Sequence, residues 1–495
     1  MMSTATVVTF SIYLIGMLGI GIWFYRVNSN LSSYLLGGRS LGPGVAALSA
    51  GASDMSSWLL LGLPGAAYTT GMNALWICVG LSIGAYLNWQ FVAKRLRAYT
   101  EVANDSITVP DFFENRFRDQ SKLLRIISAL VILVFFTFYS SSSLVGGAIL
   151  FQESFGFSYN LALVIGAAII LSYTFLGGFL AVSWTDFFQG ILMFLAVVVV
   201  PIVAIVELNG WNEMTSTLQT INPDLLDAFQ GTTVLGVTSL LAWGLGYFGQ
   251  PHIITRFMAI RSVKDVPVAR LIGMSWMIVS LLGAVFTGIT GAAYFADAPV
   301  DNPEKVFILF SNILFNPWVA GILYAAILSA IMSTVSSQLL VSSSALAEDF
   351  YKAILRKNAS EKELLWIGRL GVIVISAIAV VLGIQANPEL ETGSSILDLV
   401  SYAWAGFGAA FGPVVLLSLF WKRMNKHGAL AGMVVGAVTV VVWKQLYHLG
   451  GIFELYEIVP GFVLAFLSIV IISLVTKAPE EAILHEFDKM EADVK

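Results

Sequence analysis

Leu48-Ser-Ala-Gly-Ala-Ser-Asp-Met-Ser-Ser-Trp58 is the stretch on which the reading of this chain turns. It lies in an apolar run, residues 43–70, that is long enough to cross a bilayer. An Asp at the middle of a spanning helix costs about 2.5–3.5 kcal/mol on insertion scales, so Asp54 needs a partner or a task. Gly51 precedes it, and Ser53, Ser56 and Ser57 flank it. Small residues and hydroxyls tolerate an unwound turn, and an unwound turn offers backbone carbonyls to a cation. The competing reading is a polar contact between helices. A charge, a helix-weakening Gly and a hydroxyl cluster at one depth favour the cation.

Composition sets the class around that stretch. Of 495 residues, 57% are hydrophobic and 12% charged, with a mean hydropathy of +0.83. Soluble domains run near about 45–50% apolar and about 25% charged, so the chain is expected to be an all-α, multi-pass membrane protein whose first partner is the lipid bilayer. A net charge of −5 leaves no nucleic-acid footprint. The one cysteine, Cys78, falls in an apolar span and reads as a packing residue. His252, His427, His448 and His485 are scattered without metal-ligand spacing. With no phosphate-cradling loop and no nucleophile elbow either, the chain is not expected to be an enzyme or an ATP-driven pump. No obligate protein partner is evident.

Apolar runs predict thirteen spans, centred near residues 15, 57, 83, 138, 168, 195, 245, 283, 330, 374, 407, 437 and 465. Charge tests that count. If the loops alternate, all but Lys305 and Lys444 of the 26 Lys and Arg fall on one side. No positive charge precedes the first run, and the first one, Arg26, follows it, so the run reads as a spanning helix and not a cleaved leader. This places the amino terminus outside and the carboxyl terminus in the cytoplasm. Residues 1–476 read as one transmembrane domain and 477–495 as a cytoplasmic tail, with Ile483, Phe487 and Met490 at helical spacing. Val109–Phe117 reads as a short interfacial helix.

A second interrupted helix is expected in the seventh span, Leu241-Ala-Trp-Gly-Leu-Gly-Tyr-Phe-Gly-Gln-Pro-His252, where three glycines and a proline crowd together. Interrupted helices at matching places in two halves point to a transporter site between inverted repeats. Spans 2–6 (about 43–208) and 7–11 (about 233–421) would form a 5+5 repeat of the LeuT type. One span precedes it and two follow.

Three constellations carry candidate chemistry. Ala330, Ser333 and Thr334 share a helix face in the ninth span, where two hydroxyls and a carbonyl suit a weakly bound alkali ion. With Ala52 and Met55 donating carbonyls from the broken turn, five oxygens would hold Na+. The alternative is ordinary back-bonding of Ser and Thr to the preceding turn. Ser183 and Asp186, three apart, fit either a capping-box helix start or an ion-exit role, and both stay open. Tyr139, Trp243, Tyr247 and Pro251 suit a solute pocket, the last three spaced by four and so on one face if helical.

These residues resemble the sodium:solute symporter family, in its proline branch. The likeness is carried by Ala52-Ser-Asp-Met-Ser-Ser-Trp58, Tyr173-Thr-Phe-Leu-Gly-Gly-Phe-Leu-Ala-Val-Ser-Trp-Thr-Asp-Phe-Phe-Gln189, Trp243–His252 and Ser329–Leu339, across most of the chain. The resemblance implies a bacterial inner-membrane symporter that takes up proline with Na+ by alternating access. It implies sodium bound by Ala52, Met55, Ala330, Ser333 and Thr334, with a role for Asp54, and Ser56 and Ser57 near solute. Tyr139, Trp243, Tyr247 and Pro251 take positions tied to proline recognition; Arg39 and Asp186 take positions linked to gating or a secondary cation path. Ser57 stands where a Gly is expected, and Ser337 where a Cys is usual. The alternatives are another amino acid or a small organic acid as solute, a proton-coupled transporter, and a solute sensor.

Overall fold

The computed structural model of the chain describes residues 3–25, 35–176, 178–229, 231–391 and 393–494. Arg26, Gly177 and Lys495 therefore lie outside the described residues. Within them the protein is all-helical, apart from one isolated parallel bridge between Leu41 and Ile260. Among the described residues nine helical stretches are long and apolar enough to cross a membrane, and Thr4–Ile20, Tyr159–Ser172 and Val234–Gly249 are shorter apolar helices. The longest stretch, Trp58–Val102, contains Gly71, whose φ of 60° places it in the left-handed region. A Cβ there would run into the Leu225 backbone, so only glycine suits the turn.

Local sequence explains where helices begin and stop. Asn316 caps Pro317–Ser344, its Oδ1 accepting the N–H groups of Trp318 (3.1 Å) and Val319 (3.2 Å), with Pro317 in the first turn. Gly156 ends Leu123–Phe155 with φ 70°. Pro317–Ser344 is buried at every residue from Leu323 to Ser344, so it runs through the middle of the molecule. Lys426–Leu446 and Ile458–Val475 expose Val434, Val438, Leu464 and Ile471 instead, and pack at the periphery.

Two helices break. Pro43–Asp54 stops at Met55 (φ −85°, ψ 80°), and the chain resumes through a π-helical turn, Trp58–Gly62, before Leu63–Thr70. The second break is a 3₁₀ stretch, Ala242–Gly249, then Gln250 (φ −76°, ψ 110°), then Pro251–Ala259. A 3₁₀ helix has three residues per turn, which corrects the expectation that Trp243, Tyr247 and Pro251 share one α-helical face. The helix Pro43–Asp54 packs on Phe179–Glu207, Val266–Tyr294, Pro251–Ala259 and Pro317–Ser344.

Val109–Phe117 is helical, but it corrects the interfacial reading: Phe112, Phe113, Arg116 and Phe117 are buried against protein. The tail helix, Glu481–Val494, buries Ile483, Phe487 and Met490.

Candidate ion and solute site

The broken turn meets the buried central helix at one carbonyl. Ser333 Oγ lies 2.7 Å from the Ala52 carbonyl oxygen and 3.1 Å from that of Ala330, and Thr334 Oγ1 lies 3.3 Å from Ala52. Back-bonding accounts for the Ala330 contact; the Ala52 contacts join segments some 280 residues apart and need a tertiary reason. All five of Ala52, Met55, Ala330, Ser333 and Thr334 are buried. Four are in mutual contact through these bonds. Met55 is the residue at which the helix ends, its N–H bonded to Gly51 O at 2.9 Å. Among the described residues no group of three or more His, Cys, Asp or Glu is placed to hold a metal ion, and the oxygens brought together here are neutral carbonyls and hydroxyls.

Asp54 is 1% exposed and turns to a different set of partners. Its Oδ2 accepts the Tyr247 hydroxyl at 2.5 Å, and Oδ1 has no protein partner. Its backbone carbonyl accepts Tyr139 Oη at 2.7 Å and Trp58 Nε1 at 3.1 Å. No bond ties the Asp54 carboxylate to Ser333 or Thr334, so its place as a direct member of that cluster is not reproduced. Met55 and Ser56 form the non-helical link; Ser57 already has helical backbone angles (φ −50°, ψ −24°), and its hydroxyl is buried without a partner. A cavity of ≈ 20 Å³ beside Asp54 is lined by Gly51, Met55, Asn88, Tyr247 and Met277 among others.

Trp243 stands apart from the Tyr247 hydroxyl, within an aromatic set of Trp58 (6.5 Å between ring centroids), Trp404 (6.4 Å) and Tyr456 (5.6 Å). Tyr247 meets the same Trp404 edge-on at 5.1 Å, so Trp404 sits between the two. Trp404 Nε1 donates to Trp243 O at 2.7 Å, fixing the 3₁₀ segment in place. Pro251 opens the next helix, buried, and its carbonyl accepts Thr255 Oγ1 at 2.7 Å.

Asp186 does not start a helix. Its helix begins at Phe179 with Gly178 as the cap residue, which removes the capping-box reading of Ser183 and Asp186. Instead Asp186 Oδ2 accepts Ser49 Oγ at 2.7 Å and Arg256 Nη2 at 3.1 Å, both side chains of the ion pair being fully buried. Arg256 also donates to Ser49 Oγ (3.0 Å), Ser337 Oγ (2.6 Å) and His252 O (2.9 Å). One guanidinium thus joins four helices. Arg256 was missed as a site residue because it was counted with the loop charges; its setting inside a buried apolar segment was the signal. Trp404 and Ser49 gave no such signal.

Arg39 lies elsewhere, at a turn where it bonds Asp105 (2.9 Å), Thr100 (3.0 Å), Met258 O (2.7 Å) and Ser106 O (2.9 Å). Burial lowers its pKa, against the raising effect of Asp105. In the loop after Val266–Tyr294, burial pushes the Glu304 carboxyl up to about 7, while it accepts the Ile396 N–H at 2.8 Å.

Comparison with known proteins now places this architecture in a class. A family model of the sodium:solute symporter family matches residues 34–436, and the chain belongs to that family of membrane transporters. Among curated relatives, the chain is 55% identical over 475 residues to the high-affinity proline transporter PutP of Bacillus subtilis, covering 95% of this chain and 98% of that one. It is 53% identical over 496 residues to the sodium/proline symporter of Escherichia coli, covering 99% and 97%. Among solved structures, a substrate-bound, outward-open Na+-coupled sialic acid symporter superposes with a TM-score of 0.79 at 19% identity, covering 97% of this chain and 99% of that one. That likeness speaks to the fold.

Proposed function

We propose that this protein is a secondary active transporter that carries L-proline into the bacterial cell with sodium, by alternating access across the inner membrane. One observation carries the reading: hydroxyls of Ser333 and Thr334 converge on the Ala52 carbonyl at the point where a spanning helix breaks beside a buried Asp. Relatives above 50% identity named for proline support the solute.

Ala52, Met55, Ala330, Ser333 and Thr334 hold the ion. Asp54 contributes its charge nearby, with Oδ1 free to face a cation. The solute sits against Ser56, Ser57, Tyr139, Trp243, Tyr247 and Pro251. Proline is a zwitterion with an apolar ring. Helix N-termini at the two breaks offer amide donors to its carboxylate, and Trp and Tyr offer an apolar wall. Sodium on two helices that move relative to each other favours the solute-competent state by linkage, which requires that its affinity differ between states. The Asp186–Arg256 node closes the cytoplasmic path, and Arg39 braces the loops below it.

The fold that serves this is thirteen crossings with the amino terminus outside, a cytoplasmic tail from residue 477, and inverted repeats over about 43–208 and 233–421. Supporting it, the nine long and three short apolar helices include one stretch, Trp58–Val102, with a glycine turn inside it. The two helix breaks fall five crossings apart.

Proline uptake into vesicles at fixed pH, with and without a sodium gradient, tests the function. Sodium-dependent accumulation is expected. Uptake following the proton gradient alone rejects sodium coupling, and failure of excess unlabelled proline to compete assigns a different solute.

A further inference from the structure

Where the last span meets the tail, the chain builds a cationic recess that the transport reading leaves unused. The recess, ≈ 330 Å³, is lined by Phe117, Arg118, Lys426, His427, Lys477 and Pro479, among others. Its floor is rigid. Asn425 Nδ2 bonds Thr476 Oγ1 at 2.7 Å and Lys477 O at 2.8 Å, while its Oδ1 caps the helix Lys426–Leu446 through the Gly428 N–H at 3.0 Å. That helix is 21 residues long, and no acceptor among the described residues takes the N–H of Lys426 or His427. The positive end of the helix therefore opens into the recess.

The local charges are unevenly matched. Among the described residues Lys477 has no carboxylate within ion-pair distance, and Lys426 reaches only Asp119, at 4.0 Å. Arg118 is already paired with Glu486 at 2.6 Å, and Glu480 stands on the rim as the one lining acid. Two lysines without a close partner, one helix terminus and an imidazole thus face one space.

We infer that this recess is a binding site for a phosphate-bearing anion, supplied by an anionic phospholipid headgroup of the cytoplasmic leaflet. Position favours lipid over a free anion. The recess lies between the ends of Lys426–Leu446 and Ile458–Val475, the two peripheral helices with exposed apolar faces, where acyl chains would lie alongside them. Its other wall, Pro479 to Ile483, belongs to the tail, so a bound headgroup also fastens the tail helix to the membrane end of the bundle.

Hydrogen–deuterium exchange on the full chain tests this, comparing phosphatidylglycerol nanodiscs, phosphatidylcholine nanodiscs, and detergent with inorganic phosphate. Residues 426–429 and 477–483 are expected to exchange at least about threefold more slowly in phosphatidylglycerol than in phosphatidylcholine, as expected of amides held by a ligand. Lys426→Gln/Lys477→Gln should lose that protection, and Lys426→Arg/Lys477→Arg should keep it. Protection by inorganic phosphate with none from phosphatidylglycerol would overturn the lipid assignment and leave a free-anion site. Equal exchange in all three media, or equal protection in the Gln variant, overturns the site. Proline uptake by the Gln variant confirms that it is folded.

Discussion

Two of the fully buried carboxylates of this membrane protein, Asp54 and Asp186, are kept in different ways. Asp186 has a guanidinium, a serine hydroxyl and four helices around it. Asp54 has one tyrosine hydroxyl on Oδ2 and nothing on Oδ1. A buried charge costs several kcal/mol unless it is paired. Oδ1 of Asp186 is also without a partner, but its charge is matched by Arg256, whereas Asp54 has no cationic side chain beside it among the described residues. The fixed pair belongs to a part of the protein that must hold. The lone carboxylate lies next to a break in its helix and to neutral oxygens on the facing helix, and in the function proposed above it belongs to a part that waits for a mobile cation.

Removing the lone charge should have the largest effect. Asp54→Asn keeps the shape and deletes the attraction, and losing one member of a buried charge pair costs about 2–5 kcal/mol. The sodium concentration for half-maximal uptake should then rise by roughly 30- to 4,000-fold, beyond an accessible titration at the upper end, with the protein still inserted. Unaltered sodium dependence would show that Asp54 needs no cation and would erase the contrast with Asp186.

The fixed pair predicts a different signature, in stability. Arg256→Gln strands Asp186, and a buried charge without its partner is destabilising by about 3–5 kcal/mol. Adding Asp186→Asn should recover most of that loss in thermal unfolding of the purified protein. If the double variant is as unstable as the two single losses summed, the two residues are independent and the node is no unit.

How much of this was legible in the sequence depends on whether a feature is local. Both helix breaks were, because Gly51 with its serines, and three glycines before Pro251, weaken a helix wherever they occur. The hydroxyl face at 330–334 was legible as a face, since i, i+3 and i+4 fix it. Its meeting with Ala52 was only an expectation, because nothing local links residues 52 and 333. The pairing of Asp186 with Arg256 was not legible. Both are polar residues near the ends of apolar runs, where a cap or a loop explains each one separately. The aromatic order around Trp404 was hidden too: a spacing of four suggested an α-helical face, and the glycines wound the segment as 3₁₀.

The neutral oxygens should matter less than the charge. Ser333→Ala or Thr334→Ala removes one ligand dipole, and a hydrogen-bond-strength contact to a charged group is worth about 1.5–3 kcal/mol. The half-saturating sodium concentration should rise by roughly 10- to 100-fold, while proline affinity at saturating sodium moves far less. Thr334→Ser should behave almost as the parent. A fall in proline affinity with sodium response intact would move these hydroxyls from the ion to the solute.

The smallest expected effect sharpens the comparison at the break itself, where Ser57 stands in place of the expected Gly. Its hydroxyl is buried and unpartnered, and it packs on Gly146, where an added Cβ would lie 2.6 Å from Ser57 Oγ and closer still to its Cβ. Gly146→Ala therefore overpacks the link between the two halves of the broken helix, at a cost of about 1–3 kcal/mol. Ser57→Gly alone removes an unsatisfied hydroxyl and frees the same volume. Combined with Gly146→Ala, it should restore stability and proline affinity to near the parent, a coupling of about 0.5–3 kcal/mol. Additive losses would mean that the helix link already yields at this point, so that Ser57 is held by the turn and not by the helix that carries Gly146.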